Sequence, residues 1–163
     1  MYFSVEAVTE PTLVSLEQVA TVVVRHRGIS VAELAALFDR GYGAIAESGA
    51  PITDPAVALY RGDPAASFDL ELGFPLAGPL PGDLPSSPRI EASTLPAGRA
   101  VLLSSFGPYD QLPQAWARLS ASAEQFGVAP DCFCEIYVSD PDVCTDPSSL
   151  RTDLLLIESL ARD

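Results

Sequence analysis

Residues 132–141 read CFCEIYVSDP: an alternating run that closes on an Asp-Pro turn, the pattern of a β-strand, with Glu135 at its middle. Residues 56–64, AVALYRGDP, follow the same plan. Leu59-Tyr60 lies over Ile136-Tyr137 and Asp63-Pro64 over Asp140-Pro141, so Ala58 falls where the later copy carries Glu135. One strand written twice, once with a carboxylate and once with a methyl, indicates an internal repeat whose copies have diverged in use.

The repeat extends outward from both strands. Val22–Val24 match Val101–Leu103, and FDLELGFPL from Phe68 can be laid over TDLLLIESL from Thr152, with Asp69 over Asp153. Residues 30–49 place Leu34, Leu37, Phe38 and Ile45 at helical spacing, with Ser30 and Glu33 as a capping box and Gly49 as the stop. Residues 109–127 are the helical counterpart, with Asp110 as the expected N-cap and Pro113 confined to the first turn. A lead-in strand is expected over residues 3–11, ended by Pro11, and a second over 89–98, RIEASTLPAG. Each half is thus strand–helix–strand–strand with an extra strand leading in. A single half covers only one face of its sheet, so the halves must share a core. The expected fold is α+β: one domain over 1–163, built from duplicated βαββ-type halves (about 1–76 and 89–160) joined by the Pro/Gly-rich linker 77–88. Pseudo-twofold symmetry is expected, with an antiparallel sheet, helices on one face and a ligand groove on the other.

Composition narrows the function classes. Apolar residues make up 48% and charged residues 19%, an ordinary globular balance. There are 22 acidic residues against 9 basic, all of them Arg, for a net charge of −13. That field repels phosphate backbones, which argues against nucleic-acid binding by this chain alone and favours cationic small molecules. No apolar run is long enough for a membrane span, and the N-terminus lacks the pattern of a signal peptide, so a cytoplasmic protein is expected. Cys132 and Cys134 form a C-x-C pair that, with one distant His and no second ligand cluster, is a weak metal signal; small buried apolar roles are expected for them and Cys144, with no metal and no cofactor. The single histidine, His26, stands between Arg25 and Arg27 and is expected to be exposed.

Strand alternation puts Phe133, Glu135 and Tyr137 on one face and Cys132, Cys134, Ile136 and Val138 on the other. The second set is expected under the helices, the first along the groove. A carboxylate between two rings suits a planar cation; the competing reading is a structural acid paired with Arg or with backbone N–H groups. Glu71 is either a second pocket carboxylate or an outward charge. Tyr60 is a second wall, and Tyr109, Trp116 and Tyr42 are ligand contacts or core anchors. No nucleophile–base dyad is legible.

Together, FDLELGFPL, LPAGRAVLLSSFGPYDQLPQAWARL and CEIYVSDP resemble the GyrI-like small-molecule-binding domain, also the effector-binding domain of AraC-type and multidrug-responsive MerR-type regulators. The resemblance runs from about residue 3 to 158. It implies two βαββ-type halves around a ligand groove, and in multidrug-binding members the glutamate of the Glu-x-Tyr motif, here Glu135, meets cationic aromatic ligands. With no helix-turn-helix ahead of the domain, the chain resembles stand-alone members, among which are drug binders, gyrase inhibitors and hydrolases of cyclopropane-containing compounds. Three functions stay open on this basis. The first is a binding module for hydrophobic, cationic aromatic molecules. The second is a hydrolase using Glu135 and Glu71. The third is a gyrase-type inhibitor acting on a protein partner. A homodimer is compatible with each.

Overall fold

A computed structural model describes residues 2–63, 65–84, 88–139 and 146–160. Cys144 and the Asp140-Pro141 turn lie outside the described residues, as does Pro64. The elements are mixed α+β in order: β1 (Thr12–Leu16), β2 (Val19–Ile29), α1 (Leu34–Glu47), β3 (Ala56–Gly62), β4 (Phe68–Pro75), then β5 (Ile90–Leu95), β6 (Gly98–Phe106), α2 (Leu112–Gln125), β7 (Cys132–Tyr137) and β8 (Arg151–Ser159). No helix among the described residues is long and apolar enough to cross a membrane.

The chain divides into two compact units. One holds Gln18–Leu95; the other combines the described residues up to Glu17 with those from Pro96 onward. In the first unit, β3, β4, β2 and β5 pair in that order, all antiparallel. In the second, β1, β6, β8 and β7 do the same. The repeat and the units therefore differ by the lead-in strands. β1 opens the first half but pairs with β6, and β5 opens the second half but pairs with β2. The four strands of each unit thus include one from the other half of the sequence.

Each helix lays its apolar stripe on one face of its own sheet. α1 brings Ile45 against Val22, Val24 and Ile90. It approaches so closely that a Cβ on Gly41 would lie 3.2 Å from Leu72 Cδ1. Glu33 accepts the Ser30 N–H at 2.7 Å, the reciprocal half of the capping box read from the sequence. Leu80 and Leu84, within the linker, pack against this same core. α2 brings Leu119 and Ala123 against Val101, Leu103, Leu154 and Leu156. Pro113 sits in its first turn, as expected, but Asp110 is not its N-cap. Asp110 belongs to a 3-10 turn, Tyr109–Gln111, that precedes the helix.

The expected strand over 3–11 is not formed; pairing begins only after Pro11. The backbone before it is held largely by side chains instead of a ladder, with a backbone bond from Ser104 N–H to the Val8 carbonyl at 2.7 Å. Arg151 donates to the carbonyls of Val5 (3.1 Å), Ser4 (3.0 Å) and Glu6 (3.2 Å), and Val8 N–H donates to Ser104 Oγ at 2.9 Å. Arg151 also grips the fully buried Asp153 through Nε and Nη2, both at 2.9 Å, while Ser104 donates to the same carboxylate at 2.7 Å.

His26 departs from its expected exposure. It is half-buried, and its Nε2 has no hydrogen-bond partner among the described residues. Burial and the Arg40 charge lower its pKa from the ordinary 6.5, with Glu33 opposing. The unfolded chain thus binds the proton more readily, so stability is complete above that ordinary value and declines as pH falls below it. Melting temperatures at about pH 7.5 and about pH 5.5 should therefore drop further for the native protein than for His26→Gln. Removing Arg151 leaves Asp153 as an unpaired buried charge, and Arg151→Met should lower unfolding stability by about 3–5 kcal/mol in urea titrations.

Candidate functional site

Backbone pairing decides which side chains share a face. Phe133 faces Leu156 and Glu135 faces Leu154, both of them residues that α2 covers. Phe133, Glu135 and Tyr137 therefore lie on the helix-bearing side. This reverses the expectation from the sequence. Cys132, Cys134 and Ile136 lie opposite, buried to 2% exposure or less without α2 above them. Apolarity alone identified a buried face but not which cover buries it. Burial, with the nearby Cys132 and Glu135, raises the Cys134 thiol well above its ordinary range, so it stays protonated and inert. Among the described residues no group of three or more His, Cys, Asp or Glu side chains could hold a metal.

Glu135 is 7% exposed. Trp116, from the second turn of α2, donates its Nε1–H to Oε2 at 3.1 Å, and Tyr137 donates its hydroxyl to Oε1 at 2.7 Å. Hydrogen bonds to a charged acceptor stabilise by about 1.5–3 kcal/mol each, enough to offset much of the desolvation of a buried carboxylate. The donors are themselves braced. Trp116 meets Phe133 edge-on at 5.4 Å, and Tyr137 meets Tyr109 edge-on at 5.9 Å. Tyr109 is 42% exposed, so this aromatic chain runs from the surface to the acid. The fold thus brings together Glu135, Tyr137, Phe133, Trp116 and Tyr109.

Glu71, Tyr60 and Tyr42 belong to the other unit. Tyr60 is buried beside Phe68, with ring centroids 5.6 Å apart. Tyr42 lies edge-on to Phe74 at 5.5 Å and donates its hydroxyl to the Val57 carbonyl at 2.8 Å. Glu71 is bound by Arg25 at 3.3 Å, by Arg61 at 3.1 Å and by the Ser93 hydroxyl.

The ladders also give the correspondence between the units. Leu16, the buried end of β1, faces Gly98, the first residue of β6; Leu95, the buried end of β5, faces Val19, the first residue of β2. Val19 thus corresponds to Gly98 and Val22 to Val101. Val22 faces Phe74 and Val101 faces Leu156, so Leu72 corresponds to Leu154. Leu72 faces Ala58, and Leu154 faces Glu135. Ala58 and Glu135 are one position in two copies, as the strand repeat indicates. The same register aligns Glu71, not Asp69, with Asp153, a two-residue correction to the sequence overlay. Both acids lie on the face away from their helix, and both are held by arginine and serine. The helices, 14 residues each, align Phe38 with Trp116. Where one unit has Trp and Glu, the other has Phe and Ala: donor and acceptor are absent together. The Trp116–Glu135 bond was not read from the sequence, although Phe38 at the matching helix position was its available signal.

Residues 9–156 match the GyrI-like small molecule binding domain, and the chain belongs to that family. It is a small-molecule-binding domain by family. Among solved structures it is similar to the EcmrR C-terminal domain, with a TM-score of 0.73 at 17% identity, covering 93% of this chain and 98% of that one. It is also similar to SAV2435 bound to tetraphenylphosphonium, with a TM-score of 0.64 at 13% identity, covering 91% and 93%. A hydrolase encoded by lin2189 from Listeria innocua gives 0.58 at 16% identity, covering 94% and 93%. At these identities the likeness shows the fold alone. No curated protein matches the sequence.

If Glu71 serves the fold, its removal should be felt there. Glu71→Gln should destabilise the protein by about 1–3 kcal/mol in urea titration and leave small-molecule affinity unchanged.

Proposed function

We propose that this domain binds lipophilic aromatic cations at Glu135, for sensing or sequestration. The observation that carries the reading is a carboxylate 7% exposed and set among Trp116, Phe133, Tyr137 and Tyr109. Trp116 and Tyr137 donate to its two oxygens through neutral groups. An aromatic cation gains both ring contacts, about 0.5–2 kcal/mol each, and a charge partner in a desolvated setting. Tetraphenylphosphonium, which SAV2435 holds, is a ligand of this chemistry. Hydrolysis by Glu135 together with Glu71 has less support, because Glu71 is committed to two arginines.

The chain contains a single tryptophan, so emission from Trp116 reports directly on the site. Titration with tetraphenylphosphonium should change that emission saturably, and Glu135→Gln should weaken binding at least about tenfold, equivalent to about 1.4 kcal/mol. Neutral triphenylphosphine oxide should not distinguish the two proteins. Equal affinity of native protein and variant for the cation would exclude Glu135 as its partner.

A further inference from the structure

The strands of each unit have a face turned away from their helix, and the two copies treat that face differently. In the second unit an extended segment, residues 4–8, crosses it as a strap. Arg151 grips Asp153 and also donates to the carbonyls of Ser4, Val5 and Glu6. With the strap in place, the Arg151 and Asp153 side chains are 10% and 1% exposed.

The first unit repeats the carboxylate but not the strap. Glu71, at the position of Asp153, is bound by Arg25 and Arg61 from the neighbouring strands, yet it is 12% exposed and the arginines 30% and 39%. The segment leading into β1 forms the strap. Its counterpart leading into β5 runs elsewhere, with Leu80 and Leu84 packed into the helix-side core. Among the described residues Arg61 bonds only Glu71, through Nη1, so its Nε–H and Nη2 remain available to a carbonyl. Arg89, on the same face as Glu91, touches that acid only at 4.0 Å and is largely exposed.

Charge indicates what the face attracts. The strands of this unit, with Arg89 at their margin, carry Arg25, Arg27, Arg61 and Arg89 against Asp69, Glu71 and Glu91, and Asp69 is turned to the Gly28 N–H. In a chain of net charge −13 this is a locally basic surface. A second copy offers no free segment, because its own strap is held by its own Arg151.

We propose that this face of the Gln18–Leu95 unit docks an extended, acidic segment of a partner polypeptide. The segment lies across Glu71 as the strap lies across Asp153, with backbone carbonyls on Arg61 and an acidic side chain on Arg89. Main-chain acceptors on a guanidinium give affinity with little demand on sequence, and the acid supplies the preference. The docking does not involve Glu135.

The probe is an acetylated, amidated peptide of residues 3–10, FSVEAVTE, which is the strap sequence with its two glutamates. Titrated into the isotope-labelled full chain, it should shift the amides of β3, β4 and β5 saturably. Arg61→Met leaves Glu71 its bonds to Arg25 and Ser93 and should bind the peptide about tenfold more weakly. Arg89→Ala, at an exposed site, should weaken it about fivefold, with the rest of the amide spectrum unchanged. No shift, shifts confined to β6 and β8, or undiminished binding by both variants would overturn the proposal. Glutarate reproducing the shifts at equal affinity would make this a small-anion site, and a native dimer dissociated by Arg61→Met would give the face to a second copy; either result overturns it as well.

Discussion

The antiparallel register of β7 on β8 is the constraint from which the candidate site follows. Side chains alternate with a period of two, so a slip of one residue would exchange the two faces of the strand. Pairing Glu135 with Leu154 fixes the acid on the side that α2 covers. Once there, it must be satisfied, and α2 supplies Trp116 at the position that can reach it. The neighbours two residues away on β7, Phe133 and Tyr137, necessarily share that side, which is why the acid and its aromatic company arrive together.

Much of this was legible in the sequence, and the failures have identifiable causes. The repeat, the helices and most strands are written in apolar periodicity, turn residues and a capping box, all local signals. Which face of β7 meets a helix is not local. Both faces are buried, and CFCEIY carries no mark separating a face under a helix from one under other cover. The lead-in segment failed for a related reason: residues 3–11 alternate passably, but the carbonyls of Ser4, Val5 and Glu6 go to Arg151, almost 150 positions away in sequence, a partner no short window reveals. Asp69 was aligned with Asp153 on identity, whereas pairing aligns Glu71; an acid and its serine and arginine partners can be kept while the local string changes.

The ladders also sort the acids. Glu71 and Asp153 occupy matching positions on the faces away from their helices, and each is met by arginine and serine. These pairs tie strands, and in the case of Arg151 a non-repetitive segment, into the fold. Removal of Arg151 would leave Asp153 as a desolvated charge, whereas the arginines on Glu71 keep part of their contact with solvent. Mid-strand acidity is therefore not by itself a mark of function in this chain, and the sequence had no means of separating Glu71 from Glu135.

What separates them is the companion position. A structural acid should recur wherever the fold recurs, because the same packing problem recurs, and Glu71 and Asp153 do. The Glu135 position instead reads Ala58 in the other copy, and the helix position that donates to it reads Phe38. Two changes that cancel each other's cost point to a pair gained or lost as a unit, with the sheet and helix indifferent to the outcome. A buried carboxylate carries a desolvation cost that the alanine copy avoids. Because the duplicated framework folds around either solution, the costly one in a single copy is not something the packing requires, which is the argument that favours Glu135 over Glu71 and Asp153 in the proposed function.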